Sequence, residues 1–461
     1  MSDHASLREA AKRHLWPIFG RGDTYFDDPS TSPIITGGSG SYVIDIEGRK
    51  YLDATGAQAT SSLGYGNAAV AKAIAGAVGT FQANPSTFLP HEPAIRLAEK
   101  ISGLAPPGFN KVFFAVNGTD ANETAIRIAR QYFRIKGEAA KRQVVARWKG
   151  YHGTSAITSA ASGNTERRQF ATPLPDGFLH IEPPYLYREP GNLDPEGYGG
   201  RSAAQLTTLI ERHHASNIGA FIAEPTMGGG GVFPGPSGYW RAIREICNEA
   251  GMLLIFDEVI TAFGRTGHWF ESELIEQEEG ILPDIITFGK GVTAGFYPLA
   301  GVIVADHIYQ AFETSGAYLN HGYTFGATPL GCITALATID TLERDGVVAS
   351  IPDKAALLGK LLRELKESSA VIGDLRERGL MFGVEIVPNN IHTDRFRNEA
   401  AARSFLIAEG LRNGLLMVVS GNTINVIPPM TISNDEIHEL VTKLEAVLAA
   451  VELGIAAGEL S

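Results

Sequence analysis

The sequence predicts an α/β protein: a mainly parallel sheet covered on both faces by helices, followed by a second, smaller domain. Three observations predict this. From about residue 66, short and nearly all-apolar runs alternate with helix-length segments, the pattern of buried parallel strands. Polar residues stand just beyond several of those runs, at Asn117, Glu224, Asp257 and Lys290, where open α/β sheets form their ligand crevice. After about residue 330 the chain changes to long helices with one short strand pair. The expected division is an N-terminal segment (1–65) joining the small domain, a large domain (66–330) and a C-terminal small domain (331–461).

The elements follow in order. A short helix is expected to end near Trp16-Pro17. Residues 41–53, SYVIDIEGRKYLD, alternate as a hairpin around Glu47-Gly48. KVFFAV (111–116) reads as a strand, followed by a helix with Ala125, Ile128, Ala129, Tyr132 and Phe133 at helical spacing. IGAFIAEP (218–225), MLLIFDEV (252–259) and DIITFGK (284–290) read as further strands, with a helix near 237–250. GLMFGVEIV (379–387) marks the strand pair of the small domain. The last helix opens with Ser433 and Glu436 as a capping box and carries Ile437, Leu440, Val441, Leu444, Val447 and Leu448 on one face. GGGG at 228–231 is expected to be a mobile loop beside the crevice.

The totals narrow the function. A formal net charge of −12 opposes binding to nucleic acid or to an anionic membrane, and no apolar stretch is long enough to span a bilayer. Cys247 and Cys332 lie in apolar surroundings without metal-ligand spacing, and MSDHASLREAAKRHLW lacks a signal-peptide core. These features point to a reduced, cytoplasmic protein without a metal. The adjacent His213 and His214 suit a solvated helix end better than a metal site.

Three local features carry chemistry. NGTD (117–120) joins a strand to a helix, where free N–H groups and the helix dipole favour a phosphate; Gly118 allows close approach and Thr119 adds a hydroxyl. Asp257 ends an apolar run, where a buried carboxylate needs a partner; an ion pair or a helix cap explains it as well as a ligand does. Glu258 should point to the opposite face. Lys290 stands in FGKGVTAG, an apolar, glycine-lined turn that disfavours the ammonium form and leaves a nucleophilic amine for an aldehyde, with a Schiff base as product. Together the three match the phosphate, ring nitrogen and aldehyde of pyridoxal 5'-phosphate.

AVNGTDANETAIRIAR (115–130), WKGYHG (148–153), AEP (223–225), LLIFDEVITAFGRTG (253–267), TFGKGVTAGFYPLAG (287–301) and HGYTFGATPLGC (321–332) resemble the class III pyridoxal-phosphate aminotransferases. The resemblance covers nearly the whole chain. It implies the aspartate-aminotransferase-like fold (fold type I), with a mainly parallel seven-stranded sheet. It implies Lys290 as the Schiff-base lysine and Asp257 as the partner of the ring nitrogen. Val259, taken to lie on the same strand face as Asp257, would pack on one side of the ring; Tyr151 would stack on the other, with His152 and Glu224 nearby. Gly118 and Thr119 would hold the phosphate, and Thr324 would reach the phosphate of the neighbouring subunit in a homodimer, with a tetramer left open. An amine donor and a keto acid, pyruvate, are the implied substrates.

Relatives that use 2-oxoglutarate often carry an arginine and a glutamate where TINVIPPM (423–430) and AEPTMGGGG (223–231) here place Asn425 and Gly229. Both charges are missing together, which favours an amine or ω-amino acid:pyruvate enzyme. A tryptophan of many amine-accepting relatives falls at Ala59, implying a roomier pocket, unless the alignment slips or Phe19, Phe88 or Tyr151 compensates. Arg265 and Arg376 are candidates for a substrate carboxylate, or else parts of structural turns. An aminomutase or decarboxylase on the same scaffold, or a non-catalytic vitamer-binding protein, are the rival readings.

Overall fold

The computed structural model describes residues 3–18, 26–28, 31–85, 89–189, 197–389 and 394–460. Among these residues the largest sheet has seven strands: β1 (Phe109–Ala115), β2 (Gln143–Arg147), β3 (Phe178–Ile181), β4 (Ile218–Ala223), β5 (Leu253–Asp257), β6 (Ile285–Phe288) and β7 (Ala300–Ala305). Their spatial order is β1-β7-β6-β5-β4-β2-β3. From β6 to β3 every neighbouring pair is parallel, whereas β7 runs antiparallel to both β6 and β1. The sheet is mainly parallel, as the apolar runs require.

Every residue of β4 and β5 is buried, yet the two faces are distinct. Leu253 and Ile255 pack with Ala220 and Ile222 against Ala121, Ala125, Ile128 and Ala129 of the helix Gly118–Ile135. Leu254 and Phe256 pack with Phe221 and Ala223 against Tyr239, Trp240, Ile243 and Cys247 of the helix Tyr239–Ala250. Because side chains alternate along a strand, this parity puts Asp257 on the side of the Gly118 helix and sends Glu258 elsewhere. Both cysteines are buried and unpaired.

A second sheet, of Ile372–Glu377, Phe382–Ile386, Thr423–Val426 and Val418–Ser420, is antiparallel throughout. The predicted hairpin is present as Tyr42–Asp45 paired with Lys50–Asp53. Leu415–Leu416 extends it in parallel beside Leu52 and Asp53, so the N-terminal segment shares a sheet with the C-terminal part of the chain. The first helix runs Asp3–His14. The last, Asn434–Ala456, has the reciprocal Ser433/Glu436 cap and buries Ile437, Leu440, Leu444, Val447 and Leu448. Among the described residues no helix is long and apolar enough to cross a membrane.

The glycine run 228–231 departs from expectation. A Cβ on Gly228 would lie 2.7 Å from Ile260 Cδ1, and the Gly231 carbonyl accepts from Arg376 Nη2 at 3.0 Å. Thr226–Met227 and Phe233–Pro234 pair on either side of it. Close packing accounts for Gly228 and for Gly230, whose added Cβ would lie 2.6 Å from Met227 Sδ, but not for Gly229, which has room.

β7 fits between its neighbours because Gly301 has no side chain: a Cβ there would lie 2.5 Å from Phe288 Cζ and 2.7 Å from the Phe113 carbonyl. Gly301→Val therefore overpacks the sheet, at a cost of about 1–3 kcal/mol, and should lower the thermal unfolding midpoint by several degrees. An unchanged midpoint would refute this account of the β7 packing.

Candidate active site

The carboxyl ends of the strands open on a cavity of about 440 Å³ lined by Gly118, Thr119, Tyr151, His152, Glu224, Asp257, Val259 and Lys290, together with Asn122, Ile260, Thr60 and Tyr297. The volume is in the range that holds a small cofactor with part of a substrate. Each wall has a local cause.

Beyond β1, the Asn117 side chain accepts from Asp120 N at 3.1 Å and caps the helix Gly118–Ile135. The N–H groups of Gly118 and Thr119 belong to the first turn, where no intrahelical acceptor exists, so this wall presents an anion site. Gly118 allows the close approach of Val259, since a Cβ would lie 2.9 Å from Val259 Cγ1 and force it aside. Gly153, at φ +132°, comes against Thr119: its Cβ would lie 2.6 Å from Thr119 Oγ1.

Asp257 ends β5 inside a web of donors. Oδ2 lies 2.7 Å from Asn122 Nδ2 and 2.8 Å from His152 Nδ1, while Oδ1 accepts from Val259 N at 3.1 Å. Asn122 is itself fixed: its Oδ1 accepts from Thr287 Oγ1 at 2.7 Å and its amide also donates to the His152 carbonyl at 2.9 Å. The carboxylate is thus aimed without being closed off. Glu258 does different work. Its oxygens accept from Glu271 N and Ser272 N at 2.5 and 3.0 Å, capping the helix Glu271–Glu279, and burial with the neighbouring Glu271 pushes its carboxyl up to about 8.

Val259 reaches the cavity by a different route from the one expected. β5 ends at Asp257, so strand pleating does not extend to Val259; the turn closed by its N–H bond to Asp257 swings it round. Glu224, buried beyond β4, accepts from Tyr151 N at 3.4 Å through Oε1, and its backbone carbonyl accepts from Arg147 Nη2. Burial raises its carboxyl to about 7. Glu224 Oε2 and His152 Nε2 are buried without a partner among the described residues, polar capacity left over for something bound.

Lys290 begins a short 3₁₀ turn after β6 at φ +41°, a conformation that costs a non-glycine residue energy and clusters at functional sites. Burial pulls its amine down from 10.5 to about 8, against the opposing pull of Asp257 and Glu224. These residues fit pyridoxal phosphate: an anion site at Gly118–Thr119, a carboxylate for the ring nitrogen at Asp257, apolar and aromatic walls in Val259 and Tyr151, and an amine of lowered affinity for protons at Lys290.

Other candidates lie elsewhere. Arg265 is buried, with Nη1 donating to the carbonyls of Pro428 and Leu380 at 2.6 and 3.5 Å, and does not line the cavity. Arg376 donates to the carbonyls of Gly231 and Val232, to Thr423 Oγ1, and to Asp374 and Glu385. Ala59 lies under the cavity wall, packed with Val232, Met381, Ile427 and Ile260. Asn425 donates to Ser420 Oγ at 3.1 Å and approaches the Gly228 carbonyl at 3.5 Å, so positions 425 and 228–229 do adjoin. Thr324 is exposed on a loop held to the Gly118 helix by Tyr323 OH, which donates to the Asp120 carbonyl at 3.0 Å, and by His321 Nε2, 3.0 Å from Thr124 Oγ1. Phe19 and Phe88 lie outside the described residues. Asn122 and Thr287 escaped sequence reasoning; the available signal was one amide on a helix whose buried residues are otherwise apolar apart from Thr124.

The comparisons agree with this geometry. The family described as aminotransferase class-III matches residues 26–448. A putrescine–pyruvate aminotransferase of Pseudomonas aeruginosa is 36% identical over 418 residues, 89% of each chain. A diaminobutyrate–2-oxoglutarate transaminase of Halomonas elongata is 33% identical over 91% of this chain and 90% of its own. An amine transaminase from an uncultivated Pseudomonas species, solved in the pyridoxal-phosphate-bound form, superposes with a TM-score of 0.88 at 32% identity, over 95% of this chain and 98% of its own. The chain belongs to the class-III aminotransferases. It is accordingly an enzyme, a transaminase of fold type I that uses pyridoxal phosphate.

Asn122 is expected to be the most sensitive residue that the cofactor need not touch. Asn122→Ala leaves Asp257, Thr287 and a buried carbonyl short of a partner and should cost about 1–3 kcal/mol in chemical denaturation. Asn122→Asp should cost more, since it sets a second carboxylate beside Asp257. If the aspartate variant proves as stable as the parent, the web around Asp257 is not what holds it.

Proposed function

We propose that the protein moves an amino group from an amine or ω-amino acid to pyruvate, with Lys290 as the residue that joins the cofactor covalently and carries the proton. The supporting observation is that Lys290, Asp257 and the helix terminus at Gly118 share one cavity. When bound, pyridoxal phosphate supplies an aldehyde that condenses with amines and a ring that takes up electrons from the adjacent carbon. Asp257 would hold a proton on the ring nitrogen, its carboxylate kept aimed by Asn122 and His152. Tyr151 and Val259, which line the cavity, would hold the ring. Lys290 Nζ, with its proton affinity lowered by burial, accepts the proton from the donor's amine-bearing carbon and returns it at the next step.

Pyruvate as acceptor is supported by what stands at positions 425 and 229. An asparagine and a glycine there supply neither half of a charge pair, while Arg376 is committed to the protein's own carbonyls and carboxylates and Arg265, which donates through Nη1 to backbone carbonyls, does not line the cavity. A five-carbon diacid would bury its second carboxylate without a counter-charge, which is costly. Thr324 at an exposed loop fits a role across a homodimer interface.

Three outcomes are expected. Lys290→Ala should abolish borohydride-stable attachment of the cofactor, and the wild-type adduct should map to Lys290 by mass spectrometry; a label on another lysine overturns the assignment. In the apoenzyme, cofactor attachment at Lys290 should accelerate with rising pH, because only the neutral amine attacks, with a midpoint near 8; a midpoint near the ordinary lysine value of 10.5 would contradict the burial argument. With pyruvate as acceptor, a panel of amines and ω-amino acids should yield alanine. No alanine from any donor would exclude transamination to pyruvate and turn attention to a mutase or decarboxylase.

A further inference from the structure

Two buried polar atoms in the cavity wall, Glu224 Oε2 and His152 Nε2, find no hydrogen-bond partner among the described residues. They face one place. A Cβ added at Gly150 would lie 3.3 Å from Glu224 Oε2, 3.5 Å from His152 Nε2 and 3.0 Å from the Arg147 carbonyl. That carbonyl accepts from Gly150 N at 3.2 Å and keeps a second lone pair. Because residue 150 is a glycine, three polar groups border a space with the number of partners that a buried water needs. The other imidazole nitrogen is engaged: Nδ1 lies 2.8 Å from Asp257 Oδ2. An ionised carboxylate only accepts, so Nδ1 carries a hydrogen. What Nε2 needs then depends on its neighbour. On a neutral imidazole it is a bare lone pair that requires a donor, and on an imidazolium it is an N–H that requires an acceptor. The Glu224 carboxyl can serve as either, donating when protonated and accepting when ionised.

We propose that Glu224 and His152 share one proton through a water molecule beside Gly150, and that Glu224 is thereby a positioning residue that acts on Asp257 through His152. This rests on the reading in which Asp257 serves the ring nitrogen. In one form Glu224 keeps the proton and the water passes a hydrogen bond on to Nε2 of a neutral imidazole. In the other, Glu224 Oε2 gives its proton to the water as the water gives one to Nε2; an O–H bond breaks, an N–H bond forms and the total charge is unchanged. Both forms keep Nδ1–H aimed at Asp257. The remaining tautomer, with its hydrogen on Nε2 alone, would turn a lone pair toward Asp257 and call for a proton on the carboxylate that a ring N–H needs ionised. Burial raises the Glu224 carboxyl to about 7, with His152 and Arg147 drawing it down and Asp257 pushing it up, so both forms lie within reach near neutral pH. The other titratable groups facing the pair are Lys290 after β6, toward Glu224, and His180 on β3, toward His152; neither bonds to Oε2 or Nε2.

The test follows the two ring nitrogens of His152 by NMR in the holoenzyme with ¹⁵N-labelled histidine, the signals being identified by their loss in His152→Gln. In the wild type Nδ1 should keep its hydrogen at every pH, and Nε2 alone should gain or lose one. Glu224→Gln preserves the shape of the side chain but cannot ionise; it should lower the pH midpoint of the change at Nε2 by about one pH unit, tenfold in proton affinity. Gly150→Ala leaves both side chains in place and fills the space between them, and it should move the midpoint in the same direction. A hydrogen on Nε2 with none on Nδ1 in the wild type, or a midpoint that neither variant moves, overturns the proposal. So does a lowered thermal unfolding midpoint with no change at His152, which leaves Glu224 as a purely structural contact. Asp257→Asn should shift the absorption band of the bound cofactor. An unmoved band removes the ring-nitrogen reading and this proposal together, whereas the earlier negative results remove the shared proton alone.

Discussion

The buried carboxylate of Asp257 is the constraint around which the rest of the site is arranged. A charge at the end of an apolar strand survives only with donors around it, and Asn122, His152 and the Val259 N–H supply them from three separate parts of the chain. Those same bonds fix the start of the Gly118 helix, the WKGYHG turn and the segment after β5 relative to one another. Satisfying one carboxylate therefore assembles the walls of the cavity.

Close approach of backbone is the second requirement. Gly118 touches Val259, Gly153 touches Thr119, and Gly291 lies where a Cβ would meet the Ala262 carbonyl at 3.1 Å. Lys290 is the opposite case, a side-chain-bearing residue held at positive φ. Glycines let the segments converge, and one strained lysine is what they converge on.

Much of this was legible in the sequence because it follows from strand ends. Apolar runs located β4, β5 and β6, and the residues after them, Glu224, Asp257 and Lys290, all reached the cavity. Pleat parity separated Asp257 from Glu258. What stayed hidden arises from tertiary contacts with no period of their own. Asn122 sits on a helix face that reads as core until β5 brings a carboxylate to it. Val259 was assigned its place from strand alternation but owes it to a turn. Arg265 and Arg376 have the look of ligand-binding residues in a sequence, and only the three-dimensional arrangement reveals the carbonyls they serve. The glycine run 228–231 looked loose because the residues that press on it, Ile260 and Arg376, are distant in the chain.

The order of the strands turns the large sheet into a ruler. Gly118 and Lys290 follow β1 and β6, two strand spacings apart with β7 between them, and Asp257 ends β5 one spacing further on. Each spacing is about 4.8 Å and is set by backbone hydrogen bonds that no side chain can adjust. The points proposed to grip the cofactor are thereby graduated in fixed steps, whereas Ala59 and Asn425 stand off the scale, on segments outside the large sheet. New substrates can thus be explored on this scaffold while its chemistry stays calibrated.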